Sequence, residues 1–379
     1  MAWHRHIDPM RGRGAGAALV GLSIFCASCG GAAQNTVAGG NVTAPGNGMA
    51  AQAGANVPIL QPEQLAVDPQ IENMKERYNV SGAACNAHGV CLLISDEKRY
   101  ARFFTLQGNT LRPTDRFFLL ADTENGAEMD ESDGEGVAFA NGAFYIVGSH
   151  SRSKSGEAQA SRHFVFRIPG DMTAAPAGDI GTRASAAPAA RASLDAIIAA
   201  HPILRDHLLE PPGDTRDQSQ PSHGVNVEGI AVVGDDMFIG FRGPLGGDRA
   251  IVLKISAAAL FGGDGASAES YPLRLGPGQG VRDLAAVQGG LLVLSGPERR
   301  YGVEANPQFF LWRQGSEPIL LGRLAGAARG ANPESITILE ETATEYRVLV
   351  LWDSELLDPP ESSLPAVPPM IVRVPKPAA

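Results

Sequence analysis

A short pattern recurs along this 379-residue chain and limits its folding more than any other feature. It reads Asn79-Val80-Ser81-Gly82-Ala83-Ala84, Asp133-Gly134-Glu135-Gly136-Val137-Ala138, Asn226-Val227-Glu228-Gly229-Ile230-Ala231 and Asn332-Pro333-Glu334-Ser335-Ile336-Thr337. A weaker copy is Gly280-Val281-Arg282-Asp283-Leu284-Ala285. The third positions, 81, 135, 228, 282 and 334, are spaced by 54, 93, 54 and 52 residues. Self-similarity at such a period marks a repeat architecture, in which one supersecondary unit buries its apolar faces only against its neighbours.

Each copy is followed by the same series of short apolar runs. The second run is Cys91–Ile94, Phe144–Val147, Met237–Phe241, Leu291–Leu294 or Val348–Leu351. The third is Phe103–Leu106, Phe164–Ile168, Ile251–Ile255, Phe309–Trp312 or Met370–Val374. An outer fourth run is visible as Phe117–Leu120, Tyr271–Leu275 and Pro318–Leu321. Strand-like runs at regular spacing, separated by Gly, Pro and Asp, predict antiparallel sheet, and four strands per unit predict an all-β fold, a β-propeller. Five units predict five blades; a sixth blade is the alternative, hidden in the one long interval. The last unit stops before a fourth strand, so a segment between residues 57 and 78 is expected to complete it and close the ring, which removes exposed sheet edges.

The long interval exceeds its neighbours by 39 residues and points to an insertion of about that size within 170–225, after the third strand of blade 2. There Leu194, Ile197, Ile198, His201 and Leu204 fall at helical spacing, so a helix is expected over Ser193–Leu209. With 44% hydrophobic residues the chain has ample material for one large core, and residues 58–379 are read as a single propeller domain. A formal charge of −10 argues against binding to nucleic-acid phosphates.

The first 29 residues read as a secretory signal: His4, Arg5, His6, Arg11 and Arg13, then an apolar run, Ala15–Ala27, too short to span a bilayer. Cys26-Ala27-Ser28-Cys29 also fits a lipoprotein signal, with Cys29 as the lipidated residue, although Cys26 stands where Leu is usual. Residues 30–57, almost free of charge, read as a flexible tether. An exported protein is therefore expected, periplasmic or at the cell surface if lipid-anchored and otherwise secreted, and membrane-bound through that lipid alone. In such a compartment Cys85 and Cys91, on either side of a turn, are expected to form a disulfide.

Blade topology gathers the chemistry. The innermost strand of a blade and its antiparallel neighbour begin and end at the same rim. The starts of the first strands supply Ser81, Glu135, Glu228, Arg282 and Glu334; the ends of the second supply Asp96, His150, Arg242, Glu298 and Asp353. Three carboxylates converging on one axis must be neutralised. Either Arg242 and Arg282 pair with them, or Glu135, Glu228 and Glu334 hold a hard cation, Ca²⁺ or Mg²⁺. His150 is the candidate proton carrier, Arg242 and Arg282 suit an anionic substrate, and Ser81, Asp96, Asp283 and Asp353 complete the ligand contacts. Polar residues repeated in every blade can equally serve to tie blade to blade through backbone hydrogen bonds. No P-loop, dinucleotide fingerprint, nucleophile elbow or zinc-binding cysteine pattern occurs.

The series Asp133–Ala138, Phe144–Ser151, Asn226–Ala231, Gly240-Phe241-Arg242-Gly243-Pro244-Leu245, Val281–Ala285 and Pro333-Glu334-Ser335 resembles a bacterial β-propeller family of unknown function, over about residues 75–375. That family usually shows Gly-Ile-Arg-Asp-Leu and Pro-Glu-Gly where this chain has Val281 and Ser335. More loosely the chain is similar to esterase-like phytase propellers, through their Glu-Gly-Ile/Val-Ala starts. The resemblance implies hydrolysis of phosphate esters by analogy. The expectation is thus a polar funnel for a small anionic ligand, acting as a metal-assisted hydrolase, or else a non-catalytic module, monomeric, that binds a cell-envelope component.

Overall fold

A computed structural model describes residues 57–67, 80–118, 123–175, 185–213, 223–299, 307–325, 332–353 and 369–377, apart from a few short interruptions. The expected signal, tether and lipidated Cys29 lie outside them. Residues Asn56–Ala379 form one compact unit. They make a five-bladed β-propeller, each blade an antiparallel sheet whose first strand lines the axis.

Blade 1 runs through Gly82–Cys85, Val90–Ile94, Tyr100–Gln107 and Thr110–Phe118. Blade 2 uses Gly134–Ala140, Ala143–Gly148 and Val165–Pro169, and its outer strand shrinks to Ser185–Ala186. Blade 3 is Asn226–Val233, Asp236–Gly243, Ala250–Ser256 and Ala268–Leu273; blade 4 is Gln279–Val287, Gly290–Pro297, Gln308–Trp312 and Ile319–Leu324. Blade 5 contributes only Asn332–Glu341, Glu345–Asp353 and Met370–Pro375 from the C-terminal part of the chain.

An N-terminal strap completes the ring, as the missing fourth strand demands, and it does more than that. Pro62–Gln64 pairs antiparallel with Met370–Pro375 as the outer strand of blade 5. On one side of it Ile59–Leu60 pairs parallel with the outer strand of blade 4, and on the other Ala66–Val67 pairs parallel with that of blade 1. Nine residues, 59–67, therefore stitch the outer edges of three consecutive blades. Leu60 is buried against Leu321 and Leu324, while its neighbour Ile59 stays exposed.

The core lies between blades rather than within one. Five apolar clusters occupy the five blade junctions, as expected when each sheet has two faces to bury. Leu92, Ile94 and Phe103 meet Phe144, Ile146 and Phe166 between blades 1 and 2; Leu349, Leu351 and Ile371 meet Leu93 and Phe104 between blades 5 and 1. Along the axis the first strands leave a cavity of about 130 Å³, lined by three consecutive positions from every blade, such as Ala83–Cys85 and Val137–Phe139.

The insertion departs from the sequence expectation in its boundaries. Its helix spans Pro188–Ala200, and a second short helix spans Pro202–Asp206. Pro202 supplies no N–H to continue the first helix but fits the first turn of the next, and the His201 side chain caps it by accepting from Leu204 N–H at 3.3 Å. Leu194, Ile197, Ile198 and Leu204 are buried in the junction of blades 2 and 3, so the predicted apolar face holds. Cys85 and Cys91 sit directly opposite each other and are joined by a disulfide.

Two stability predictions follow from this closure. A chain beginning at Asp68 should melt more than about 5 °C below one beginning at Asn56, because three sheet edges lose their partners. Equal melting points would show that the strap does not hold the ring closed. Replacing both Cys85 and Cys91 by Ser should cost about 2 kcal/mol in denaturant titration, the entropy of a short closed loop.

Candidate functional site

Four of the five axial residues are placed by the same local device. In blades 2 to 5 the pairing of the first two strands shifts register at the start of the first strand, leaving Glu135, Glu228, Arg282 and Glu334 as unpaired residues of β-bulges; in blade 3 a second shift leaves Arg242 of the neighbouring strand unpaired too. A bulge re-aims the side chain it carries. Blade 1 has no such shift, and Ser81 precedes its first strand, donating its N–H to the Ile94 carbonyl at 3.2 Å. The residue after each bulge explains the glycines of the repeat. A Cβ on Gly136 would lie 3.0 Å from the Glu228 carbonyl oxygen, and one on Gly229 would lie 3.0 Å from Asp283 Cα. The inner strands pack too closely there for a side chain. Where blade 4 carries Asp283 instead, polar ties appear, and blade 5 makes one through Thr337. Asp283 accepts from the N–H groups of Leu284 and Ile336 at 2.7 and 2.8 Å, and Thr337 Oγ1 donates to the Ala83 carbonyl at 2.9 Å.

The bulges bring together a buried charge cluster. Arg282 Nη1 lies 2.8 Å from both Glu228 Oε2 and Glu334 Oε1, clasping blades 3 and 5 from blade 4. Arg242 Nε lies 3.0 Å from Glu228 Oε1, which also accepts from Asn226 Nδ2 at 3.0 Å. Of the two ways to neutralise the converging carboxylates, guanidinium pairing is what Glu228 and Glu334 have. Arg282 is 1% exposed, and its Nε and Nη2 are buried without hydrogen-bond partners. Breaking such a pair from one side leaves an uncompensated buried charge.

Glu135 differs from the other two glutamates. It is buried, and among the described residues no cation pairs with it. Burial pushes its carboxyl well above the usual range, and Glu228, Asp133, Glu334 and Asp96 push it further the same way. Asp133, by contrast, has its own cation: Arg162 Nη1 lies 2.9 Å away, and the hydroxyls of Ser149 and Ser151 donate to the same carboxylate. Burial also raises Asp283, against the pull of its backbone donors.

The remaining expected residues are spread around this mouth. Asp96 is half-buried at the junction of blades 1 and 2, where its carbonyl accepts from Asp133 N–H at 2.9 Å. The backbone of Asp353 ends the second strand of blade 5, opposite Asn332, and its side chain is not among those described. Glu298 Oε1 is 3.0 Å from His223 Nδ1 and accepts from Leu245 N–H at 3.1 Å.

His150 leaves the end of its strand at the same rim, but its contacts run to the insertion. It is buried, with φ at 52°, and its Nδ1 lies 2.8 Å from Asp195 Oδ1 on the helix Pro188–Ala200. His163 Nδ1 lies 2.8 Å from the same oxygen. Burial lowers the His150 pKa against the opposing pull of Asp195. Burial would raise Asp195, yet the hydrogen bonds from both imidazoles hold its carboxyl well below the usual range. Among the described residues these three, and not the three glutamates, form a compact set of metal-ligating atoms, all within 4.8 Å of one another. His163, Asp195 and Arg162 were not legible as site residues. No local pattern marks Asp195, which sits between buried Leu194 and Ile197 on an otherwise ordinary helix.

Comparison with known proteins adds the following. No curated protein matches the chain significantly. Solved structures with a similar fold include a GH43 β-1,3-galactosidase (10% identity, TM-score 0.45, covering 83% of this chain and 94% of that one). A luciferin-regenerating enzyme aligns at 12% identity with TM-score 0.38, covering 83% and 95%. Virginiamycin B lyase from Staphylococcus aureus aligns at 10% and 0.31, covering 77% and 70%. At such identities and TM-scores the likeness says nothing of what this chain does. A family model matches residues 218–359, the stretch that holds Glu228, Arg242, Arg282 and Glu334. The chain is thus a five-bladed β-propeller that is similar, over those residues, to the family described as Protein of unknown function (DUF3616).

Proposed function

We propose that this propeller is an exported hydrolase that takes a small ester, a phosphate ester first of all, at the axial glutamate–arginine mouth, with Glu135 carrying the proton. The observation that carries the reading is the Glu135 carboxyl, buried, raised in pKa and unpaired beside two carboxylates that have guanidinium partners. A buried carboxyl whose pKa is raised is suited to act as a general acid. In this scheme Glu135 protonates the leaving alkoxide as water cleaves the ester bond, and the proton released by that water restores the acid. Arg282, with two buried donors unclaimed, suits the developing negative oxygens. The proton-moving role expected of His150 falls to Glu135 here, since His150 Nδ1 is engaged by Asp195. A hard cation, if one is used, would find in Glu135 an axial glutamate with no guanidinium partner among the described residues.

Export is supported by the N-terminal basic, apolar and small-residue pattern and by the Cys85–Cys91 disulfide. Among the described residues no helix is long and apolar enough to cross a membrane; membrane attachment in this reading comes through a lipid on Cys29.

A second reading is favoured by the closure of Arg282 between Glu228 and Glu334: the cluster serves as a clasp, and the mouth binds a cell-envelope ligand without turnover. Glu135→Gln separates the two. Hydrolysis of an aryl phosphate or aryl acetate, assayed with and without CaCl₂ or MgCl₂, should fall about 100-fold or more in the variant. No turnover by the parent protein on either ester would sink the hydrolase reading and leave the clasp.

The same variant carries a pH signature. Because the folded-state pKa of Glu135 is raised, the native protein holds its proton more tightly than the unfolded chain. Its contribution is therefore fully present below the ordinary glutamate pKa and is lost as pH rises through the raised value. Glu135→Gln should melt higher than the parent at neutral and alkaline pH, with the gap closing as the pH falls toward 4.5. Identical melting curves across that range would mean that Glu135 is not under the electrostatic stress described.

A further inference from the structure

The His150–Asp195–His163 cluster lies outside the axial charge network and is not used by the chemistry proposed above. Its three residues come from different places. His150 follows the second strand of blade 2, His163 precedes the third, and Asp195 belongs to the insertion helix. The donors converge closely, with both Nδ1 atoms 2.8 Å from one carboxylate oxygen and the imidazole centroids 5.0 Å apart. Ligand atoms about 2.0–2.2 Å from a tetrahedral zinc lie about 3.3 Å from one another, so the two nitrogen–oxygen edges of this triangle need to widen by only about half an ångström. His150 Nε2 is buried with no hydrogen-bond partner, so this inaccessible ring is anchored on the Nδ1 edge that faces the cluster. Its left-handed backbone conformation, disfavoured for a residue with a Cβ, persists only where surrounding contacts enforce it.

We propose that His150 Nδ1, His163 Nδ1 and Asp195 Oδ1 form a binding site for a divalent transition metal of the zinc class, which pins the insertion helix to blade 2. Two imidazoles and one carboxylate suit Zn²⁺ far better than Ca²⁺ or Mg²⁺, which prefer all-oxygen shells. Three protein ligands leave one coordination position for water or a ligand. The site thereby couples the helical insertion to the rim that carries Glu135. It is independent of the axial hydrolase reading: either can fail while the other stands.

The test uses the chain from Asn56 onward, stripped with chelator and reloaded. ZnCl₂ should bind at about one ion per chain and raise the melting temperature, whereas MgCl₂ and CaCl₂ should not reproduce that shift. Co²⁺ in place of Zn²⁺ should show the visible absorption of a tetrahedral site. Asp195→Asn keeps an oxygen to accept both N–H groups and so preserves the packing, but removes the anionic ligand. It and His163→Gln should each weaken Zn²⁺ binding by more than about 100-fold, beyond the loss expected from an outer-shell change. Glu135→Gln should retain the metal, which separates this site from the axial glutamates. Failure of the parent protein to retain zinc, or zinc retention undiminished in Asp195→Asn and His163→Gln, would overturn the assignment.

Discussion

At its centre the ring is clasped by the guanidinium of Arg282. Arg282 reaches from blade 4 to Glu228 of blade 3 and Glu334 of blade 5, at 2.8 Å in each case, from a position that solvent hardly touches. Buried charge is costly unless partnered, so each member of the clasp requires the others in register. That register depends on the bulges. In each of four blades a charged residue near the start of the first strand drops out of the strand pairing, and its side chain is the one that joins the cluster. The same local irregularity, repeated around an axis, converts a sheet protein into a polar mouth.

Around this centre the molecule divides its apolar material into five junctions instead of one core. Such a design needs closure, because an open ring would leave one junction unfilled and its edges bare. Closure here has two parts. Thr337 and the Val80–Trp352 backbone bond join blade 5 to blade 1 near the axis, and the N-terminal strap joins blades 4, 5 and 1 at the rim. The polar and apolar systems thus meet the same geometric requirement from inside and outside.

Charge balance at the mouth also distinguishes its members. Glu228 and Glu334 are neutralised and serve the architecture whatever else they do. Asp283, expected among ligand contacts, spends both carboxylate oxygens on backbone N–H groups. Glu135 keeps its burial without a partner, which is an expensive arrangement to maintain and therefore the one most worth assigning to function. The His150–Asp195–His163 set lies at the same rim, yet it is tied to the insertion and not to the axis.

The period of 52–54 residues, the apolar runs and the missing last strand pointed to a propeller of five blades, with six as the alternative, and to the shared rim of Glu135, Glu228, Arg242, Arg282 and Glu334; two cysteines on either side of a turn pointed to the disulfide. These features are legible because a repeat forces equivalent residues to equivalent places. The pairing of charges was not legible: the sequence admits either guanidinium or metal neutralisation, and only distances across blades decide. Nor was the meeting of Asp195 with His150 and His163, 45 and 32 residues away along the chain. It arises because a non-repeating helix, broken by Pro202, docks its apolar face into one junction and so carries its carboxylate to the rim. Local patterning determines which faces are buried; which polar groups then touch depends on how those faces pack, and that is a property of the folded chain alone.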